Sequence, residues 1–353
     1  MFFYIITTIV ILLGGFYVST GKNKPFVYMV RASIFLYLTF FSAARYGIGT
    51  DYAHYLVIFE SIKKGAKIYA STEPLFYYLI RFCTDNGFSF QIFVALCSII
   101  TNLFFLRATK NKTYFFQLII YYTMYYVSSF CLLRQMMGLA FTVYAFSRCE
   151  KNKSKCLLFI LLACLVHRFF WLVLLGYVFS WFIKFTTRQV SAIVIISFFV
   201  FVPTSLLTNI ITKVLDTINF NVGLNNLFFA TRIGPVVLIR YLYTLCFYIV
   251  FMHNRSQNYT LNFLFLAVCL SEIGGTKLTI LATRLALCFY SAYFLMMSDE
   301  TLAHKLFTKT KRVNFSVAIT TFAFCLVFLT FFTSLLHEPH FNESMPYKML
   351  ELF

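Results

Sequence analysis

The sequence predicts an all-α polytopic membrane protein, with about 11–12 transmembrane segments, a broken hairpin near 156–183, and one long outer loop holding a short amphipathic helix. Three observations predict it. Of 353 residues, 60% are hydrophobic and 12% charged, whereas soluble domains run nearer half apolar and a quarter charged. Phe supplies 47 residues and Tyr 24, an apolar mass too large for one water-soluble core but readily solvated by lipid. Finally, the apolar residues fall into runs of membrane-spanning length, divided by short basic loops.

In chain order, the run MFFYIITTIVILLGGFYVS lacks a basic leader and a small-residue cleavage site, so it reads as a retained first span near 1–19. Further spans are expected near 26–44, 90–107, 114–130, 131–147, 190–209, 233–252, 260–273, 280–297 and 315–335. No internal repeat is visible, and residues 1–353 read as a single integral membrane domain. The ten Cys are scattered singly, without a CxxC pair or metal-ligand spacing, as small buried thiols are.

A net charge of +18 raises the question of nucleic-acid binding. The bulk of the Lys and Arg has a simpler assignment. GKNK (21–24), RATKNK (107–112), RCEKNKSK (148–155) and HKLFTKTKR (304–312) are short basic loops and are expected on the cytoplasmic side. Loop 45–89 then lies outside, as the long periplasmic loop. Lys184 and Arg188 fall inside, so 156–183 must leave and return to the same face. Each arm is short for a span, and His167 and Arg168 mark the outer tip. Non-helical backbone at that depth needs protein or a wet cavity beside it.

Within loop 45–89, TEPLFYYLIRF reads as an amphipathic helix. Thr72 is the expected N-cap, Glu73 falls in the first turn, Pro74 suits a first-turn position, and Leu75, Phe76, Leu79 and Phe82 form the apolar face. Such a helix caps a cavity, lies on the membrane surface, or packs for structure alone.

Several cations resist assignment to the inner loops. Arg45, Lys63, Lys64, Lys67, Arg81, Arg134, Arg168, Lys213, Arg232, Arg240, Lys277, Arg284 and Lys348 fall outside or in the outer halves of spans. An Arg at the bilayer centre costs roughly 2.5–3.5 kcal/mol, which makes intramembrane charge a functional candidate. Guanidinium binds phosphate bidentately and stays charged at any working pH. With no phosphate-binding Gly loop and no paired acids, the pattern points to a metal-free, cofactor-free, arginine-lined pyrophosphate site facing outward. The competing reading pairs these arginines with Asp51, Glu60, Glu73 or Glu272 for structure. Asp51, six residues after Arg45 in the turn RYGIGTDY, either acts as a base or orients Arg45. His167 is the other base candidate, its alternative being a packed, hydrogen-bonded His.

RYGIGTDYAHY (45–55), TEPLFYYLI (72–80), LRQMMGLA (133–140) and LVHRFF (165–170), with weaker Ala282-Thr283-Arg284 and MPYK (345–348), resemble the EpsG-type branch of the Wzy-like polysaccharide polymerases. Arg168 stands where that family commonly has a small or hydroxyl residue. The resemblance implies a glycosyltransferase of the inner membrane. Its implied partners are undecaprenyl-pyrophosphate-linked oligosaccharide donor and acceptor, membrane lipid and a chain-length regulator, with no nucleic acid. It would build O-antigen, or else capsule or exopolysaccharide, on the periplasmic face and release undecaprenyl pyrophosphate. In that reading Arg45, Asp51 and His167 are catalytic, and Arg134, Arg168, Arg232 and Arg284 bind the pyrophosphate. Outer-loop Tyr46, Tyr52 and Tyr55 stack on sugars or anchor at the interface. A lipid-linked oligosaccharide flippase, or an outward-facing ligase or acyltransferase, remains the alternative.

Overall fold

The computed structural model describes residues 2–49, 51–66, 73–149, 151–184, 186, 188–193, 196, 235–253, 259–275, 279–297 and 315–337. The chain is an all-α membrane protein, with no strand among the described residues. Three of its described helices are long and apolar enough to cross a bilayer: Phe3–Thr20, Lys24–Ala44 and Phe90–Ala108. The expected span 190–209 lies largely outside the described residues.

The described chain divides into two compact units. The first holds α1 (Phe2–Thr20), α2 (Lys24–Ala44), α3 (Tyr52–Lys63), α4 (Pro74–Asp85), α5 (Phe90–Ala108), α6 (Tyr114–Ile120), α7 (Ser128–Cys131), α8 (Leu133–Arg148), α9 (Lys153–Val166) and the start of α10 (Phe170–Phe182). Polar side chains start the long helices. Asn23 caps α2, Ser89 caps α5 and Asn152 caps α9, each accepting a first-turn amide that has no intrahelical partner. α5 packs between α2 and α8, α8 packs on α9, and α1 packs on α2 and α6.

The expected spans 114–130 and 131–147 do meet at a break. Leu132 adopts φ −104, ψ 57, ending α7 and starting α8. The first of the two is itself interrupted by a π-helical turn, Tyr121–Tyr126. Its tyrosines are buried and must satisfy their hydroxyls within the protein. Tyr122 donates to the Tyr4 carbonyl at 2.9 Å and Tyr126 to the Leu38 carbonyl at 2.8 Å. Tyr121 donates to Asn102, whose amide donates in turn to Ser42 at 3.1 Å. The extra residue per turn thus ties α1, α2 and α5 to one segment.

Among its described residues, the segment 45–89 holds two helices rather than one. α3 buries Tyr52, Tyr55, Ile58, Phe59 and Ile62. α4 matches the expected amphipathic helix, with two corrections. Its buried face is Phe76, Tyr77, Ile80 and Cys83, while Phe82 is exposed. The face is rotated because α4 packs against α3, α5 and α9 together. Glu73 is itself the N-cap residue, at φ −66, ψ 145, with Pro74 at the first helical position. The expected N-cap, Thr72, lies outside the described residues.

The second unit contains α11 (Pro235–His253), α12 (Tyr259–Gly275), α13 (Thr279–Phe289) and most of α15 (Phe315–His337), with the short α14 (Ser291–Met296) at its edge. α12 packs on both α11 and α13. Phe263 seats against Gly176, and the Ser191 and Tyr248 hydroxyls bond at 3.1 Å.

Candidate functional site

Arg45 follows α2 and is fully buried. Its guanidinium donates to the Ser42 carbonyl, to Ser98 Oγ at 3.3 Å and to the Ser129 carbonyl at 3.5 Å, and it lies over the Phe130 ring, 5.0 Å from the centroid. One side chain therefore joins the end of α2, the middle of α5 and the last turn before α8. The α2 end is closed further by Gln91, whose amide donates to the Ala43 carbonyl and to the Arg45 carbonyl at 2.9 Å, and whose carbonyl accepts from Tyr52 at 3.3 Å.

The glycines that follow press this loop onto the same place. Gly49 has φ +105, a conformation that favours glycine, and a Cβ there would collide with the Phe130 carbonyl. Asp51, at the N-cap position of α3, is half-buried and makes no side-chain cap bond. One turn later, Tyr55 is buried. Burial pushes the Tyr55 phenol up to about 12, only partly offset by the Arg134 guanidinium, so it stays protonated at working pH.

Arg134 is the second residue of α8, in a first turn with no acidic residue. A cation is misplaced there, because the exposed amides make the helix N-terminus positive. Glu73 answers both. Its Oε2 pairs with Arg134 Nη1 at 2.7 Å, with the two side chains only 18% and 12% exposed. That engagement explains why Glu73 makes no cap bond to its own helix. The guanidinium also lies 5.6 Å from the ring centres of Tyr55 and Phe76. Arg134 Nε is buried and carries no hydrogen bond among the described residues.

The other Glu73 oxygen reaches a third segment. Oε1 accepts from the Arg168 backbone amide at 3.4 Å. Here α9 has ended, with His167 extended at φ −153, ψ 123, and α10 restarts at Phe170. The break expected at His167 and Arg168 is present. His167 Nδ1 accepts the Phe169 amide at 3.3 Å, and the Arg168 side chain is exposed. Gly138, one turn after Arg134, fixes the restart. A Cβ there would collide with the buried Phe170 ring, so only glycine lets α10 begin this close to α8.

The structure thus brings together Glu73, Arg134, the 167–168 turn and Tyr55. Arg45 stands apart as a buried junction, and Asp51 lies one turn from Tyr55 on α3. Arg284 lies on α13 of the second unit with its side chain exposed, and Arg232 lies outside the described residues, as does MPYK (345–348). Gly138 is the residue that sequence reasoning left without a role here, whereas Glu73 was named there as a structural partner for the arginines, and it does pair with Arg134. Both sit within motifs already singled out, and an acid just before a first-turn proline was the available signal for Glu73. Among the described residues no group of three His, Cys, Asp or Glu is placed to hold a metal ion.

The fold and the site define an all-α membrane protein with an arginine–glutamate pair held beside a helix break. Comparison of the sequence with known families makes the class specific. The EpsG family matches residues 27–349, nearly the whole chain, and the chain belongs to that family. Membership points to a polysaccharide polymerase-type function. No curated protein and no solved structure matches the chain.

Proposed function

We propose that this protein is a glycosyltransferase that polymerises undecaprenyl-pyrophosphate-linked repeat units on the periplasmic face of the inner membrane, making O-antigen, or else capsule or exopolysaccharide. A hydroxyl at the non-reducing end of one unit attacks the anomeric carbon of the other chain. The bond from that carbon to the phosphate oxygen breaks, and undecaprenyl pyrophosphate leaves. The observation that carries this reading is the meeting of Glu73-Pro74, LRQ and VHR through Glu73, Arg134 and the Arg168 amide.

The first unit's residues supply the chemistry. Arg134 and Arg168 receive the pyrophosphate, and stabilising charge that develops on a leaving group is usually the largest catalytic contribution. Asp51 and His167 are the candidates to accept the proton. Arg45 acts through position. By fixing the end of α7 it sets where α8, and therefore Arg134, begins.

The test is the location and length of glycan in cells lacking the gene. The proposal predicts single repeat units on the lipid carrier at the periplasmic face, with a ladder restored by the wild-type gene. Units trapped on the cytoplasmic face would sink it in favour of a flippase.

A further inference from the structure

Glu73 occupies the place that an anion would take. It neutralises the cation at the start of α8, it accepts an amide from the 167–168 turn, and it is only 12% exposed. The Arg134 guanidinium is held by the Glu73 carboxylate and lies beside the Tyr55 and Phe76 rings, and Glu73 is the anionic partner in that set. A pyrophosphate carries more charge and more acceptor oxygens than a carboxylate, and the planar guanidinium fork matches phosphate geometry.

Resting on the polymerase reading above, we propose that Glu73 is a built-in stand-in for the donor's pyrophosphate, which displaces it from Arg134 and frees it to act as the catalytic base. Once released from Arg134, the Glu73 carboxylate oxygens are free to reach the acceptor hydroxyl. Donor binding therefore switches the base on. The acceptor hydroxyl oxygen forms its bond to the anomeric carbon as its proton passes to a Glu73 oxygen. The carbon–phosphate oxygen bond breaks, and its electron pair leaves with the pyrophosphate held by Arg134. With the donor absent, the carboxylate stays locked to Arg134, which keeps it from activating water.

The geometry favours Glu73 over the other two acceptors for this role. His167 Nδ1 is engaged by the Phe169 amide, and Asp51, at the N-cap of α3, makes no ion pair with Arg134 among the described residues. Of the three, Glu73 is the one whose described contacts include the cation that is to hold the leaving group.

The experiment uses the full chain purified in lipid nanodiscs, with inorganic pyrophosphate as the binding probe and the polysaccharide ladder in deletion cells as the activity readout. Glu73→Gln removes the competitor charge and the base together. It is expected to bind pyrophosphate about 10-fold more tightly while chain extension falls about 100-fold, the low end for loss of a general base. A merely structural Glu73 would give weaker binding instead. Glu73→Asp keeps the charge but draws it back from Arg134. It should bind pyrophosphate a few-fold more tightly and retain measurable extension, so the proposal stays testable if Glu73→Gln does not fold. Unchanged or weaker binding in a folded Glu73→Gln or Glu73→Asp overturns the exchange and leaves the polymerase reading standing. Wild-type extension by Glu73→Gln overturns the base assignment. Tighter binding in both variants, with a ladder that does not depend on the gene, overturns the polymerase reading while the exchange survives.

Discussion

Arg45 and Arg134 carry the same side chain, and both stand at helix ends of the first unit, yet their surroundings differ in kind. Arg45 is sealed, its guanidinium spread over two carbonyls, a hydroxyl and an aromatic face. Arg134 meets a carboxylate and keeps an edge within reach of water. A buried guanidinium held among its described contacts by neutral oxygens and a ring fits the role of a pin. A guanidinium paired with a carboxylate at a helix N-terminus has an anionic partner that can be exchanged, which is why the proposal makes Arg134 the seat for an anion. The contrast teaches that an intramembrane arginine is informative about function only once its acceptors are known.

The largest effect that would break the comparison is expected at the pin. Arg45→Ala strands buried carbonyls and leaves a void, costing about 3 kcal/mol or more. Little inserted protein should be recovered from membranes, and detergent-solubilised protein should unfold at a markedly lower temperature. Arg134→Ala should behave oppositely, with near-normal insertion and a loss of chain extension of about 100–1000-fold, as when a main electrostatic stabiliser is removed. Normal insertion of Arg45→Ala together with loss of Arg134→Ala from the membrane would invert the two roles.

Smaller changes sharpen the boundary between scaffold and site. Gly138→Ala forces Phe170 off α8 and should cost about 1–3 kcal/mol by overpacking, seen as a lower unfolding midpoint. Because Phe170 starts α10, it should also reduce chain extension per molecule of inserted protein. On α4 the two candidate faces separate cleanly. Phe76→Ala is expected to cost about 3–5 kcal/mol, and Phe82→Ser to stay within about 0.5 kcal/mol by the same unfolding assay. Equal effects at the two positions would return the buried face to the register expected from spacing.

Much of the fold was legible because its signals are local. Span-length apolar runs, basic loops, Pro74 and the polar interruption at 167–168 each fix an element within a few residues. α3 was missed although Tyr52, Tyr55, Phe59 and Ile62 recur at helical spacing, because the Gly-rich turn before it made the segment read as loop. The face of α4 was misassigned because three different helices cover it, and a hydropathy pattern in one helix cannot report a buried tyrosine that spends its apolar ring on neighbours. The π-helical turn left no periodic trace at all. In the candidate site the participating segments were recognised one by one. What joins them is the Glu73 carboxylate, and a contact across 61 positions to Arg134 and 95 to Arg168 has no signature in spacing.

The central claim is that the Arg134 site, rather than the arginine content as a whole, supports chain extension. Its most direct test is the polysaccharide ladder in deletion cells carrying Arg134→Ala, with inserted protein quantified in the same membranes. The account predicts wild-type amounts of protein and single repeat units left on the lipid carrier. A wild-type ladder from normally inserted Arg134→Ala would contradict it.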